Sequence, residues 1–202
     1  VDGSVPFKVV SMFEDALAEY CGAPYAVTVN SCTNALFLSL LLRREQLPDT
    51  VDEVSLPKRT YVGVAHAALN AGFEVAWSDE MWWREYEIKP VSVWDSAKAL
   101  CKDMYHQGSL QCVSFHIAKK LPLGHGGVIL CSTGDEASWL KRARFDGRTS
   151  GETGENATKI TRPGHHMHMT PDEAARGLWL LANLEAPLNA SADHYPDISE
   201  LL

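Results

Sequence analysis

Apolar positions along the chain come in short runs separated by polar, Gly-bearing turns, and the spacing within each run assigns an element. Ser11 and Glu14 have capping-box spacing, with Phe13, Ala16, Leu17 and Tyr20 at helical intervals and Gly22 as a stop. Residues 26–30 are few and β-branched and predict a strand, after which Ser31 and Thr33 can cap a strongly apolar helix over 33–44. Strands are predicted over 54–56 and 73–77, with a helix over 61–70 between them that Gly72 ends. Further strands are predicted over 91–94, 112–115 and 128–131. A helix over 135–144 follows, its basic residues placed late where they suit the dipole. Thr170, Pro171 and Glu173 combine a capping box with Pro at the first helical position and open a helix to about 185. Four stretches carry no such pattern. Residues 1–7 read as a loop, and 79–89, rich in Trp and charge, as irregular. Residues 147–164 read as a mobile polar loop, and the tail from 187 as loosely structured.

Strands alternating with helices predict an α/β protein. The expected architecture is a three-layer α/β/α arrangement with a mixed, mostly parallel sheet, in one domain over 1–202. The strands are continuous apolar runs, as expected where both sheet faces are covered. Ligands of such folds sit beyond the carboxyl ends of the strands. The polar residues predicted there are Asn30, Ser31, Cys32 and Thr33, then Thr60 and Tyr61, then Asp95, and lastly Ser114 with Lys119.

Composition narrows the partners. A formal net charge of -8 argues against a nucleic-acid binder, and no apolar run approaches a membrane span. The start of the chain lacks the basic-then-apolar order of a signal peptide. Five cysteines without a CxxC pair suit reduced thiols in a cytoplasmic protein. His165, His166 and His168 lack i, i+4 spacing and a nearby Cys, so no metal site is expected; a polar loop or a subunit contact is the simpler reading.

The stretch VSFHIAKKLPLGHGGV, residues 113–128, carries the sharpest question. A lysine on a Gly-rich loop past a buried strand is either a solvated loop lysine or a nucleophile. Its neighbours at the sheet edge have the parts to hold an anionic aromatic cofactor. The helix start at Ser31 to Asn34 suits a phosphate, and Ser114 adds a hydroxyl. Tyr61 offers a flat face, Asp95 could pair with a protonated ring nitrogen, and Lys119 could form a Schiff base.

Five stretches in sequence then resemble the DegT/DnrJ/EryC1/StrS sugar aminotransferases, fold-type I pyridoxal-phosphate enzymes. FEDALAEYCGAPYAVTVNSCTNAL is similar to the family's opening helix, strand and SGTxAL phosphate turn. LPKRTYVGVAHAALNAGFEVAWSD resembles its TY-bearing segment, and VWDSAKAL its EDAAQAxG. SFHIAKKLPLGHGGVILC resembles SFxxxKxLxxGEGGxIxT, and MTPDEAARGLWLLANL the family's MTxIQAAxGLxQL helix.

The resemblance implies that Lys119 is the Schiff-base lysine and Asp95 the partner of the pyridinium nitrogen. It places Thr33, Asn34 and Ser114 on the phosphate, Tyr61 against the ring, and Lys98 where a Gln or His usually meets the cofactor hydroxyl. His166 and His168 fall on the segment that reaches the neighbouring subunit's site. It further implies pyridoxal 5'-phosphate as cofactor and a homodimer, with amino transfer from glutamate to a nucleotide-linked keto sugar. Lys119 would shuttle the proton and would need to be neutral near pH 7. Several departures accompany it. No counterpart of the family's C-terminal small domain is expected in these residues, the lead-in is short, and His125 replaces an acidic residue. The alternative is a non-catalytic binding or interaction module that keeps the fold. Family dehydratases carry His at the lysine position, and Lys119 argues against that branch.

Overall fold

The computed structural model describes residues 7–148, 160–184 and 195–200. Residues 1–6 of the N-terminal loop expected over 1–7, most of the polar loop over 147–164 and the start of the tail lie outside the described residues.

The chain opens with helix α1 (Lys8–Cys21), which ends where Gly22 takes φ 72°. Strand β1 (Tyr25–Val29) and helix α2 (Cys32–Gln46) follow, the latter with Ser31 as N-cap, its side chain accepting from the Asn34 N–H at 3.1 Å. Next come β2 (Glu53–Pro57), α3 (Val62–Asn70) and β3 (Glu74–Ser78). Three short strands, β4 (Tyr86–Ile88), β5 (Val93–Asp95) and β6 (Leu110–Ser114), lead to β7 (Gly127–Cys131). Helix α4 (Gly134–Ala143) and helix α5 (Pro171–Ala182) complete the described elements, each opened by a capping box, from Thr133 with Glu136 and from Thr170 with Glu173.

A five-stranded sheet runs β1-β7-β6-β5-β4, and β2 and β3 form a parallel pair. The pair joins the larger sheet through the Ser55 N–H, which donates to Lys89 O at 2.8 Å. The sheet is mixed, with less parallel pairing than expected: β7 is antiparallel to both β1 and β6, β4 is antiparallel to β5, and only β5–β6 and β2–β3 are parallel. Apolar runs announce two-sided burial but not direction, so the sequence pattern could not reveal this.

Alternate residues of each strand feed two cores. Val27, Val29, Cys112, Ile129 and Cys131 pack with α2, α3 and α4 on one face. Ala26, Val113, Val128 and Leu130 pack with α1 and the start of α5 on the other. At the α1–α5 crossing a Cβ on Gly177 would stand 2.4 Å from the Phe13 ring, so only glycine admits the approach. All five cysteines are free thiols, and no helix among the described residues is long and apolar enough to cross a membrane.

Three expectations need correction. Ser11 does not cap α1, which begins three residues earlier behind Phe7 with no side-chain cap. Glu14 is buried instead, accepting at 2.9 Å from the Thr28 N–H and at 3.0 Å from the Thr28 hydroxyl and pairing with Arg144. The stretch 79–89 is not irregular throughout, since it contains β4, and the strand expected over 91–94 starts at Val93.

Candidate active site

The antiparallel direction of β7 builds the site. Asp95 and Ser114 are the last residues of the parallel strands β5 and β6, so they share one sheet edge. Strand β7 starts at that edge, and its first residue, Gly127, stands between Val29 of β1 and Ser114 of β6. Gly126, at φ 116°, bridges to Ser31. A Cβ on Gly127 would stand 2.8 Å from Cys32 N and 2.9 Å from Cys32 Cα, so the paired glycines let the loop backbone press against the start of α2. The role of these glycines in seating the helix start is absent from the sequence reading, although their pairing next to Lys119 was its signal.

A cavity of about 360 Å³ lies at this edge, lined on one side by Ser31, Cys32 and Thr33 and on the others by Tyr61, Asp95, Lys98, Ser114 and Lys119. Of the residues singled out from the sequence, Thr33, Tyr61, Asp95, Lys98, Ser114 and Lys119 are therefore brought together. Asn34 is not among the lining residues. Its backbone N–H is taken by Ser31 Oγ and its side-chain amide donates to Asn30 Oδ1 at 2.7 Å. His166 and His168 are also outside the cavity. His166 pairs with Asp146 at 3.1 Å and stands edge-on to His168, which packs against Phe7 and Phe145. Among the described residues no three His, Cys, Asp or Glu side chains converge as a metal site would require.

At the α2 end, the Cys32 and Thr33 N–H groups belong to the first turn and have no intrahelical partner. With the helix dipole and Ser114 opposite, this is an anion cradle. The Tyr61 ring, half exposed, lies over Gly63, where a Cβ would stand 2.6 Å from Cε1 and 3.1 Å from Thr33 Oγ1. Gly63 thus gives the ring its place beside the cradle. Cys32, one of the polar residues expected at this edge, lines the cavity as a neutral thiol. Burial pushes it up first, and Asp95 and Cys112 add to that.

At the other end, Asp95 is 7% exposed. Burial pushes its carboxyl above the usual range, and the Ala97 N–H at 3.1 Å, the Tyr86 hydroxyl, Lys119 and Lys98 pull it back without cancelling that push. Tyr86 itself bonds Thr60 at 2.6 Å. A carboxylate left short of compensation suits a cationic N–H, which would restore the balance. Lys98 stands over the rings of Trp82 and Tyr195, at 6.0 Å and 5.4 Å, on the cavity wall. Trp82, Arg84, His116, His125 and Tyr195 also line the cavity, and no local pattern in the sequence puts them there.

Comparison with known proteins decides the family. A profile of the DegT/DnrJ/EryC1/StrS aminotransferase family matches residues 6–96 and 91–202. The chain belongs to this family. Pyridoxal phosphate is the family's cofactor, and the free helix start, the flat ring of Tyr61, the carboxylate of Asp95 and the amine of Lys119 fit it.

Among solved structures, AtS13 from Actinomadura melliaura is 22% identical with a TM-score of 0.71, over 87% of this chain and 60% of that one. The sugar aminotransferase CalS13 from Micromonospora echinospora is 20% identical with a TM-score of 0.70, over 88% of this chain and 61% of its own. Spr1654 from Streptococcus pneumoniae, described as a PMP form of a sugar aminotransferase, is 18% identical with a TM-score of 0.71, over 87% and 59%. At these identities the likeness is one of fold. The chain spans about three fifths of the length of these structures. A search of curated proteins returned no match.

Proposed function

We propose that the protein is a pyridoxal-phosphate-dependent aminotransferase that moves an amino group from glutamate to a nucleotide-linked keto sugar, working as a homodimer. The observation that carries this reading is the meeting of Asp95, Lys119 and the start of α2 around one cavity. Each chemically distinct end of the cofactor has a suitable partner there. When bound, the cofactor supplies an electron sink for the carbon that loses and regains its proton.

The chain's own residues divide the remaining work. The Cys32 and Thr33 N–H groups and Ser114 would hold the phosphate, and the Tyr61 ring would supply a flat face for the pyridine. Asp95 would pair with the ring N–H and favour its protonated form. Lys119 Nζ would hold the cofactor and, once released from it, would take up and return the proton of the amino-bearing carbon of the substrate. Tyr86, bridging toward Thr60, fixes the carboxylate of Asp95 in place. His166 and His168, outside this cavity, would face the partner subunit's site in the dimer.

The test is covalent attachment. Pyridoxal phosphate added to the purified protein and fixed with borohydride should be found by peptide mass on Lys119. Attachment elsewhere, or attachment unchanged in Lys119→Ala, sinks the reading. The engagement of His166 with Asp146, away from the cavity, favours a second reading, a non-catalytic cofactor-binding module. Glutamate separates the two. A catalyst makes stoichiometric 2-oxoglutarate from the loaded protein, and a passive binder makes none.

A further inference from the structure

We infer that Arg84 is the carboxylate-recognition residue of this cavity, holding the carboxylate of the amino acid or 2-oxo acid that exchanges nitrogen there. The inference rests on the pyridoxal-phosphate reading and gives it a specificity residue.

The segment around Arg84 is tied down nearly residue by residue. Trp82 Nε1 donates to Arg59 O at 2.8 Å, and the Tyr86 hydroxyl bonds Thr60 at 2.6 Å. The Glu85 carboxylate accepts from Ser96 Oγ at 2.6 Å and Gln111 Nε2 at 3.1 Å and meets His106 Nε2 at 3.0 Å. Ser96 and Gln111 are fully buried. Arg84 stands at the tip of this braced turn, so its direction is set by the fold.

Its backbone carries strain. Arg84 has φ 68°, and the Glu85 N–H closes a three-residue turn onto Trp83 O at 2.8 Å. A residue with a Cβ adopts this conformation at a cost that glycine avoids, and such outliers gather at ligand sites. A glycine would serve the turn; an arginine serves the cavity it lines.

Charge bookkeeping points the same way. Asp95 is the one carboxylate among the described lining residues, against Arg84, Lys98 and Lys119. Asp95 and Lys119 are committed to the cofactor, whose phosphate goes to the start of α2. Arg84 remains beside Trp82 on the cavity lining, where a second anion can sit. Arg84 Nη2 donates to Ala99 O at 2.9 Å, which fixes the plane of the guanidinium. Its remaining donors form a planar fork, the geometry that takes a carboxylate through two parallel hydrogen bonds.

The test uses maleate, a rigid dicarboxylate without an amino group, titrated calorimetrically into the protein with pyridoxal phosphate present. Wild type should bind it saturably. Arg84→Gln and Arg84→Gly should bind it roughly tenfold to hundredfold more weakly, and Arg84→Lys, which keeps the charge and loses the fork, should fall between. Cofactor attachment at Lys119 should be unchanged in all of them. Equal maleate affinity in wild type and variants, no saturable binding to wild type, or tighter binding of pyrophosphate than of maleate through Arg84 overturns the inference. Failure of attachment at Lys119 in wild type is a separate result, and it overturns the cofactor reading instead.

Discussion

Two buried carboxylates, Glu14 and Asp95, are 2% and 7% exposed, yet the fold treats them in opposite ways. Burial pushes the Glu14 carboxyl up, but Arg144, Lys141 at 3.3 Å and the Thr28 N–H together outweigh it and hold it below the usual range. Arg144 also donates to Thr28 O, so the guanidinium ties α1, β1 and the end of α4 together. At Asp95 the same push wins, because an N–H, a hydroxyl and two more distant lysines are all that oppose it. The first group is compensated in charge and holds helices to the sheet. The second is left short of one positive partner, and it lies in the cavity. Incomplete compensation of a buried charge, more than burial itself, separates the site from the scaffold.

The largest expected effect comes from making Glu14 resemble Asp95. Arg144→Ala strips the main cation from a fully buried carboxylate and should destabilise the protein by about 3–5 kcal/mol in urea unfolding. Replacing both partners, as in Glu14→Gln with Arg144→Met, should recover much of that loss. If Arg144→Ala unfolds at the wild-type midpoint, the compensated group is not holding the scaffold.

The cradle end of the cavity depends on backbone contact rather than charge. Gly127→Ala drives a Cβ into Cys32 N and Cα, where no side chain can swing away. It should cost about 1–3 kcal/mol of stability. It should also weaken binding of pyridoxal phosphate, measured by equilibrium dialysis, more than it lowers the melting temperature of the apoprotein. Equal dialysis constants would mean the glycine pair does not seat the cradle.

The sequence made this contrast half legible. The cap of α2, the glycine pair and the strand ends carrying Asp95 and Ser114 follow from local signals, and they reached the right edge. Glu14 was misread as a helix cap because three-residue spacing to Ser11 is visible locally, whereas Arg144 lies 130 positions away. The segment 79–89 looked structureless for the same reason. Its order comes from Arg59, Thr60, Ser96, Ala99 and Gln111, all outside it, and it shows no period of its own. Strand direction was misjudged because an apolar run reads the same both ways. The Thr133–Glu136 capping box, by contrast, is a local signal that the sequence does carry.

The opposed shifts predict opposed pH behaviour. Glu14 has a depressed folded value, so its stabilisation is present above the ordinary carboxylate range, near about 4. It disappears as pH falls through the lower folded value. Asp95 has a raised folded value. Its ionisation costs nothing below about 4 and destabilises the apoprotein as pH rises through the folded value. Asp95→Asn should therefore be more stable than wild type at pH 7, by about 1 kcal/mol, the scale of one poorly compensated polar group. The two midpoints should converge below pH 4. Cofactor affinity should drop in the same variant, and a parallel pair of stability curves across this range would contradict the assignment of Asp95 as the uncompensated group.

The smallest effect separates strain from charge on the cavity side. Arg84→Gly removes the penalty of a left-handed backbone, about 1 kcal/mol, and gives up the bond to Ala99 O and some chain stiffness. A net gain of about 0.5 kcal/mol is expected, seen as a slightly higher midpoint in urea. The scaffold around Glu14 offers no counterpart, since removing any member of that cluster should only destabilise. A stabilised Arg84→Gly that has lost maleate binding shows the strained turn to be kept for what the side chain holds. A destabilised one shows instead that the Ala99 bond outweighs the strain, and the arginine then belongs to the scaffold.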